Sequence, residues 1–475
     1  MIMARGRLEF LSSDEIRRIH ETALRVLEQV GVVVNSPTVA KLLVDDGCSA
    51  SKDGKRMLMA EEVVVAALAK APKSILLASR DGNHDMRIPS EKLHATNGGE
   101  GVYVMDLVTG ETHSPTSEDV RRFFVLSDSL PQTDFCWPMV GAQDAPPRLK
   151  GLVETKIGYE STSKHIQSAA ADLTEARNIV QLTSILSGGL ENLAKRPIWS
   201  AVQCPISPLI FEEGLVEAQA ELARAGIPVI SMSAAVAGMT APATIAGTVT
   251  QITAENLASL VITQAASKGA PWIFSSDSVP GNLKTGSIDY GALESHLMRT
   301  AAGQMARFYG LPCMVAGLGI EGSSLLLGRP RDGVPIAALG ALVPSDLGSG
   351  FGGLDEAAGA SYEQLLVDAW VWDAAKEFVR GFSTDEAAIS FETIRDAGLD
   401  GNFLGKRHTL ARFKQEFTSV TNPETSIYGG SDSEPRGTLV KKAKDEVGRI
   451  LAQERKPLVT KEEADGIEKL LKAIR

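Results

Sequence analysis

The chain has 475 residues, 44% of them apolar, with a formal net charge of −11 and an isoelectric point near 5.3. That length supports one large α/β domain with helical additions, or two to three domains, and the acidic balance without a basic tract argues against a nucleic-acid partner. Four cysteines without a Cys-x-x-Cys pair match a reduced, cytoplasmic compartment, and the apolar stretch Ala225–Ala254 is too often broken by Pro, Gly, Ser and Thr to span a membrane.

Residues 1–90 read as a small α+β cap. Its first helix is charged, unlike a signal peptide. Ser12 with Glu15 forms a capping box ahead of the apolar stripe Ile16, Ile19, Ala23, Leu24, Leu27 and Val30, and Gly31 ends the helix. Helices over 36–45 and 61–70 follow, with turns at Asp53-Gly54 and Asp81-Gly82. From 91 to 355 short apolar runs recur: Leu93–Asn97, Asp134–Val140, His165–Ala170, Trp199–Cys204, Pro228–Ala234, Pro271–Ser275, Pro312–Gly317 and Ala341–Ser345. They start roughly 30–40 residues apart, the length a βα unit takes. Helical patterns such as Leu173–Leu186, Glu212–Arg224, Ile252–Ser267 and Ser295–Phe308 lie between them. Buried parallel strands read as continuous apolar runs, so the pattern predicts a (β/α)8 TIM barrel. An open doubly wound sheet is the alternative, though no Gly-x-Gly-x-x-Gly opens the first βα unit. The cap is expected to close one barrel end or to form a subunit contact. Residues 356–475 are mostly helical, completing and flanking the barrel, and their amphipathic surface predicts a homo-oligomer.

In a barrel the strand ends share one face, and that face carries the site. Here the ends are rich in neutral groups: Asn97, Gln143, Gln167, Gln203, Ser231 and Ser275. Acids are fewer: Glu100, Asp144, Asp277, Glu321 and Asp346. This suits a largely neutral pocket that positions a substrate for a reactive cofactor rather than a charge-rich acid–base centre. Trp137 and Phe351 are rings beside predicted loops and can face a quaternary ammonium, with packing under a loop as the plainer role. The seven histidines show no His-x-x-x-His or His-Glu-x-x-His spacing, so no protein-bound metal is expected. Lys164 and Lys268 are poorly placed for a Schiff base.

Several segments in order resemble the trimethylamine methyltransferase family, over nearly the whole chain. They are Ala95-Thr96-Asn97-Gly98-Gly99; Gln203-Cys204-Pro205-Ile206-Ser207-Pro208-Leu209 followed by Gly226-Ile227-Pro228-Val229; Met239 to Gly247; Gly353-Leu354-Asp355 with Tyr362-Glu363-Gln364; and Gly401-Asn402-Phe403-Leu404 with His408-Thr409. The resemblance implies a corrinoid-dependent methyltransferase on a (β/α)8 barrel, with the cobalamin carried by a separate corrinoid protein. Trimethylamine enzymes of the family use pyrrolysine. This chain carries none, and its stretch Gly319–Asp346, with Ile320-Glu321-Gly322-Ser323-Ser324-Leu325, departs from that pattern. It therefore resembles the non-pyrrolysine branch, which demethylates quaternary amines such as glycine betaine, proline betaine or carnitine.

On this basis His408, Glu100, Asp277 and Asp346 are the candidate catalytic residues. Trp137, Gln167, Gln203, Ser231 and Phe351 are the candidate substrate contacts, with Arg329 or Arg331 for a substrate carboxylate. Asn97, Gly98, Gly319 and Gly352, at the barrel mouth, are the candidate contacts for the partner's corrinoid. A non-catalytic small-molecule-binding barrel, and demethylation of trimethylamine or another N-methyl compound, are the competing functions.

Overall fold

The computed structural model describes residues 3–4, 6–320, 333–399, 401–417 and 438–474. It is a (β/α)8 barrel. Seven parallel strands hydrogen-bond in sequence: Ile166–Ala169, Trp199–Gln203, Val229–Ser233, Trp272–Ser276, Cys313–Gly317, Leu347–Phe351 and, crossing back, His94–Asn97. The segment after Asp134 closes the ring between the two ends of this sheet. The Asp134 N–H donates to the Ala95 carbonyl (2.7 Å), the Cys136 N–H to the His165 carbonyl (2.9 Å) and the Gln167 N–H to the Cys136 carbonyl (2.9 Å). It falls short of a regular strand because Pro138 lacks a donor and because Asn97, by its side chain, takes the Trp137 N–H (3.1 Å) and donates to the Trp137 carbonyl (2.6 Å).

Six of the eight expected strands thus stand where the apolar runs lie, and a seventh run, Asp134–Val140, is the irregular segment that closes the ring. The eighth is displaced. Ala341–Ser345 is the end of helix Gly333–Leu342 and the turn beyond it, and the strand is Leu347–Phe351. Its sequence, Leu-Gly-Ser-Gly-Phe, has three small residues in five. Close packing demands them: a Cβ at Gly348 would lie 2.8 Å from Leu318 Cδ1. An apolar-run signal therefore passes over the strand and finds the helix before it.

Alternation sorts the strand side chains into two cores. Val202, Ile230, Met232, Ile273, Met314 and Leu347 point inward, where they meet Phe135 and the hairpin Ile75–Leu77/Met86–Ile88. That hairpin seals the N-terminal end of the barrel, tied by Ala78 N–H to the Pro197 carbonyl and Arg80 N–H to the Ser163 carbonyl. The other face of each strand packs under the helical ring. The three cap helices (Ser13–Arg25, Pro37–Asp45, Glu61–Lys70) lie on the flank, against helix Ile245–Ala266. That helix is buried continuously from Ile252 to Gln264 because barrel and cap cover both its sides. Within the cap, the hairpin is the part that reaches the barrel end. The Ser12/Glu15 capping box is present as expected.

At the opposite end, strands Tyr103–Met105 and Thr112–His113 pair with Gly353–Leu354 and Gly359–Ala360 into a small sheet beside the mouth. Helix Tyr362–Val379 joins the outer core through Leu365, Leu366, Val371 and Trp372, and helix Thr438–Leu451 packs against it with Ala443, Val447 and Ile450. Among the described residues, no helix is long and apolar enough to cross a membrane.

Candidate active site

The C-terminal ends of the strands open on a cavity of about 340 Å³. Much of its wall is glycine, including Gly98, Gly99, Gly317, Gly319, Gly350 and Gly353. At two positions the missing side chain is what admits a functional one. A Cβ at Gly99 would lie 2.6 Å from Trp137 Cε2, so the indole reaches the cavity only by lying against bare backbone. A Cβ at Gly317 would lie 2.6 Å from Arg299 Nη1, so the guanidinium passes over that strand end only because it is glycine.

The polar wall is built from the sixth βα unit. Asp277 follows the strand Trp272–Ser276, and the Tyr290 hydroxyl, from the loop beyond, donates to its Oδ2 (2.7 Å). Helix Leu293–Phe308 then brings His296 and Arg299, three residues apart and so on one face, to the cavity. Arg299 Nη2 stands 3.7 Å from Asp277 Oδ1; the Arg299 side chain is 7% exposed and that of Asp277 39%. His296 is buried, and its Nδ1 has no hydrogen-bond partner. Burial, with the adjacent Arg299 charge, pulls its pKa down to about 4, so the imidazole is neutral near pH 7. The Asp277 charge, then burial, pushes the Tyr290 phenol up, so it keeps its proton. The site therefore holds one fixed cation, one fixed anion, a neutral imidazole and an indole.

Of the residues expected from sequence, Asp277, Trp137, Gly98 and Gly319 line this cavity. Glu100 sits between two lining glycines, in a left-handed turn (φ 64°), but forms no part of the wall. Desolvation raises its pKa, with Lys150 opposing and Glu175 adding to the rise. Gln167 is buried, and neither of its amide atoms has a hydrogen-bond partner.

The other expected residues stand elsewhere or lie outside the described residues. Gln203 and Ser231 flank Val202, Ile230 and Met232, which point inward, so both project into the helical layer; Gln203 Nε2 donates to the Ala170 carbonyl (3.2 Å). Phe351 is fully buried in the outer core, 6.3 Å from the Trp372 ring. Asp346 immediately precedes its strand and so lies at the sealed end. There it pairs with Arg307 (2.8 Å) and accepts the Cys313 N–H (2.8 Å). Its expected placement followed from the displaced eighth strand. Gly352, at φ 84°, donates its N–H to Asp368 (2.7 Å), and Asn97 closes the barrel; neither lines the cavity. His408, on helix Arg407–Glu416, stands 3.5 Å from the Ser390 hydroxyl in the C-terminal helices, and it too is absent from the wall. Arg329 and Arg331 lie outside the described residues. Lys164 caps helix Ser117–Ser129, its Nζ donating to the Ser127 and Leu130 carbonyls.

Tyr290, His296 and Arg299 were not legible from strand ends, because they come from the loop and helix that follow one. The available signal was an ionisable pair at i, i+3 within the Met- and Ala-rich run Ser295–Ala306. Among the described residues, no three His, Cys, Asp or Glu side chains gather as metal ligands.

Comparison with known proteins places this geometry. Trimethylamine methyltransferase MttB of Desulfitobacterium hafniense is 28% identical over 408 residues, covering 86% of this chain and 82% of that protein. A glycine betaine methyltransferase of the same species is 26% identical over 430 residues, covering 88% and 87%. Among solved structures, the Methanosarcina barkeri monomethylamine methyltransferase superposes with a TM-score of 0.50 at 10% identity, over 97% of this chain and 91% of that one, a likeness of fold alone. The family described as Trimethylamine methyltransferase (MTTB) matches residues 2–472. The chain belongs to the trimethylamine methyltransferase family.

Proposed function

We propose that this protein moves a methyl group from a small quaternary amine of the betaine class to the cobalt of a separate corrinoid protein, in the cytoplasm. The observation that carries this reading is a small glycine-walled cavity at the barrel mouth whose wall includes both the Trp137 ring and the Arg299–Asp277 charge pair. An aromatic face beside a carboxylate attracts a quaternary ammonium. Glycine betaine methyltransferase activity in a relative of similar length supports the choice of substrate.

The mouth suits a corrinoid on one ground: among the described residues, Gly98, Gly319 and Gly353 line it without adding side-chain bulk. When presented there, the corrinoid supplies a Co(I) nucleophile for the methyl group. The chain's own residues hold the ammonium against Trp137, fix its orientation and exclude water. The C–N electron pair stays on the departing tertiary amine, so positive charge leaves the nitrogen, and no proton needs to move. Alignment rather than acid–base chemistry is then the protein's contribution, which agrees with a neutral His296.

The test is to mix the protein with reduced cob(I)alamin and, separately, glycine betaine, proline betaine, carnitine and trimethylamine, following the Co(I) absorption band. Its loss with a betaine and not with trimethylamine is the expected result. An unchanged band with every compound, even when a corrinoid protein is supplied, sinks the reading in favour of a binding barrel.

The protein is also proposed to work as a homo-oligomer. Helices Glu386–Ile389, Phe391–Ala397 and Arg407–Glu416 contain no buried residue, yet Phe391, Ile394, Leu404 and Leu410 are 57–84% exposed. Helices this short are not stable without a packed face, so their cover must be permanent. A second copy of the chain provides permanent cover; a partner that cycles on and off does not. Light scattering should show an assembly that Phe391→Asp with Leu410→Asp converts to the 50.5 kDa monomer. A wild-type monomer at micromolar concentration contradicts this.

A further inference from the structure

The structure assigns a second subsite to the cavity: we infer that Arg299 is the clamp for a substrate carboxylate and the residue that makes the site select zwitterions over simple amines. This rests on the small-molecule reading of the cavity given above and names which half of the substrate each wall takes.

The Arg299 side chain is 7% exposed, yet its guanidinium donates no hydrogen bond to any described residue. Its one anionic neighbour among the described residues, Asp277, stands at 3.7 Å, beyond hydrogen-bonding distance, and the other oxygen of that carboxylate already accepts from Tyr290. A buried guanidinium has five N–H donors and loses heavily when they go unused. The group that uses them best is a planar carboxylate, met by two parallel N–H bonds. Access to the cavity is built in, because Gly317 leaves the space the guanidinium crosses. Next to Arg299, the neutral imidazole of His296 has an unpaired Nδ1 and adds a polar contact without adding charge.

The charge arrangement restricts the ligand further. With Asp277 beside it, Arg299 accepts a monoanion but offers a dianion little net attraction. The same Asp277, with the Trp137 ring on the cavity wall, favours a cation. A zwitterion with its ammonium and carboxylate on one short chain meets both preferences. An amine without a carboxylate leaves the guanidinium unsatisfied, and a site built to hydrogen-bond a group rejects analogues lacking it.

Calorimetric binding to the full chain separates the two halves. Glycine betaine carries both charges, tert-butylacetate keeps the shape and the carboxylate without the ammonium, and choline keeps the ammonium without the carboxylate. Arg299→Met should weaken glycine betaine and tert-butylacetate by about 100-fold or more without weakening choline, which loses only a repelling cation, and Arg299→Lys should recover part of the loss. Thermal unfolding of each variant checks its fold. If neither variant folds, the wild-type chain decides, binding glycine betaine about 100-fold more tightly than its methyl ester. Equal affinity for ester and acid, equal binding of tert-butylacetate to wild type and Arg299→Met, or no binding of it to the wild type overturns the assignment. Arg299-dependent carboxylate binding without methyl transfer leaves the subsite standing and removes only the transfer reading.

Discussion

Replacing Glu255 by alanine should lower the unfolding free energy by about 3 kcal/mol, the largest loss expected from one side chain outside the apolar core. Glu255 is fully buried on helix Ile245–Ala266. Its carboxylate accepts from the Leu209 N–H (3.0 Å), the Ser207 hydroxyl (2.9 Å), Gln251 Nε2 (3.0 Å) and the Ser233 hydroxyl. Removing it strands the buried Ser233 hydroxyl and three half-buried donors at once. It also releases the loop after the fourth strand position, where Leu209 is held at φ 62°, a conformation a non-glycine residue keeps only under restraint. Chemical denaturation measures the effect. Glu255→Gln should recover a part, because the amide oxygen still accepts but without charge. A loss below about 1 kcal/mol for Glu255→Ala would show that the loop is held by other means.

The second large effect concerns rate. Trp137→Ala should reduce kcat/KM for methyl transfer from a betaine by about 100-fold. The lost cation–ring attraction accounts for about 0.5–2 kcal/mol of this, and the rest comes from water and misalignment in the widened cavity. Trp137→Phe should keep most of the rate, since a smaller ring still fits against Gly99. Binding of tert-butylacetate, which has no cation to lose, should weaken less than that of glycine betaine. An alanine variant as fast as the wild type would remove the ring from the substrate site.

The contrast between Trp137 and Phe351 shows how far sequence carries. Both are rings next to strand-end loops, and local pattern gives them the same role. Their places differ because Trp137 lies in an irregular segment with a glycine against it, whereas Phe351 ends a strand under the helical ring. The barrel itself was legible, because buried parallel strands leave continuous apolar runs; only Leu347–Phe351, diluted by small residues, escaped. The error at Asp346 follows from that single displacement. Facing was illegible for the same strands that were legible as strands. A run buried on both sides carries no polar alternation, so nothing in Trp199–Gln203 or Val229–Ser233 says which residues point inward. Asp277 was visible as an acid at a strand end, but Tyr290 and Arg299, which join it, are separated from it by a loop and a helical turn whose geometry no spacing encodes.

The hairpin Ile75–Ile88 has a kinetic consequence. By filling the far end of the barrel it leaves the mouth as the doorway that the described residues offer. On the proposed function, a partner seated over that doorway would imprison whatever had entered, so loading would precede the partner's arrival and the spent amine would depart only after the partner had left. Turnover would then be compulsory in its order, and excess partner would slow the cycle by standing in the door.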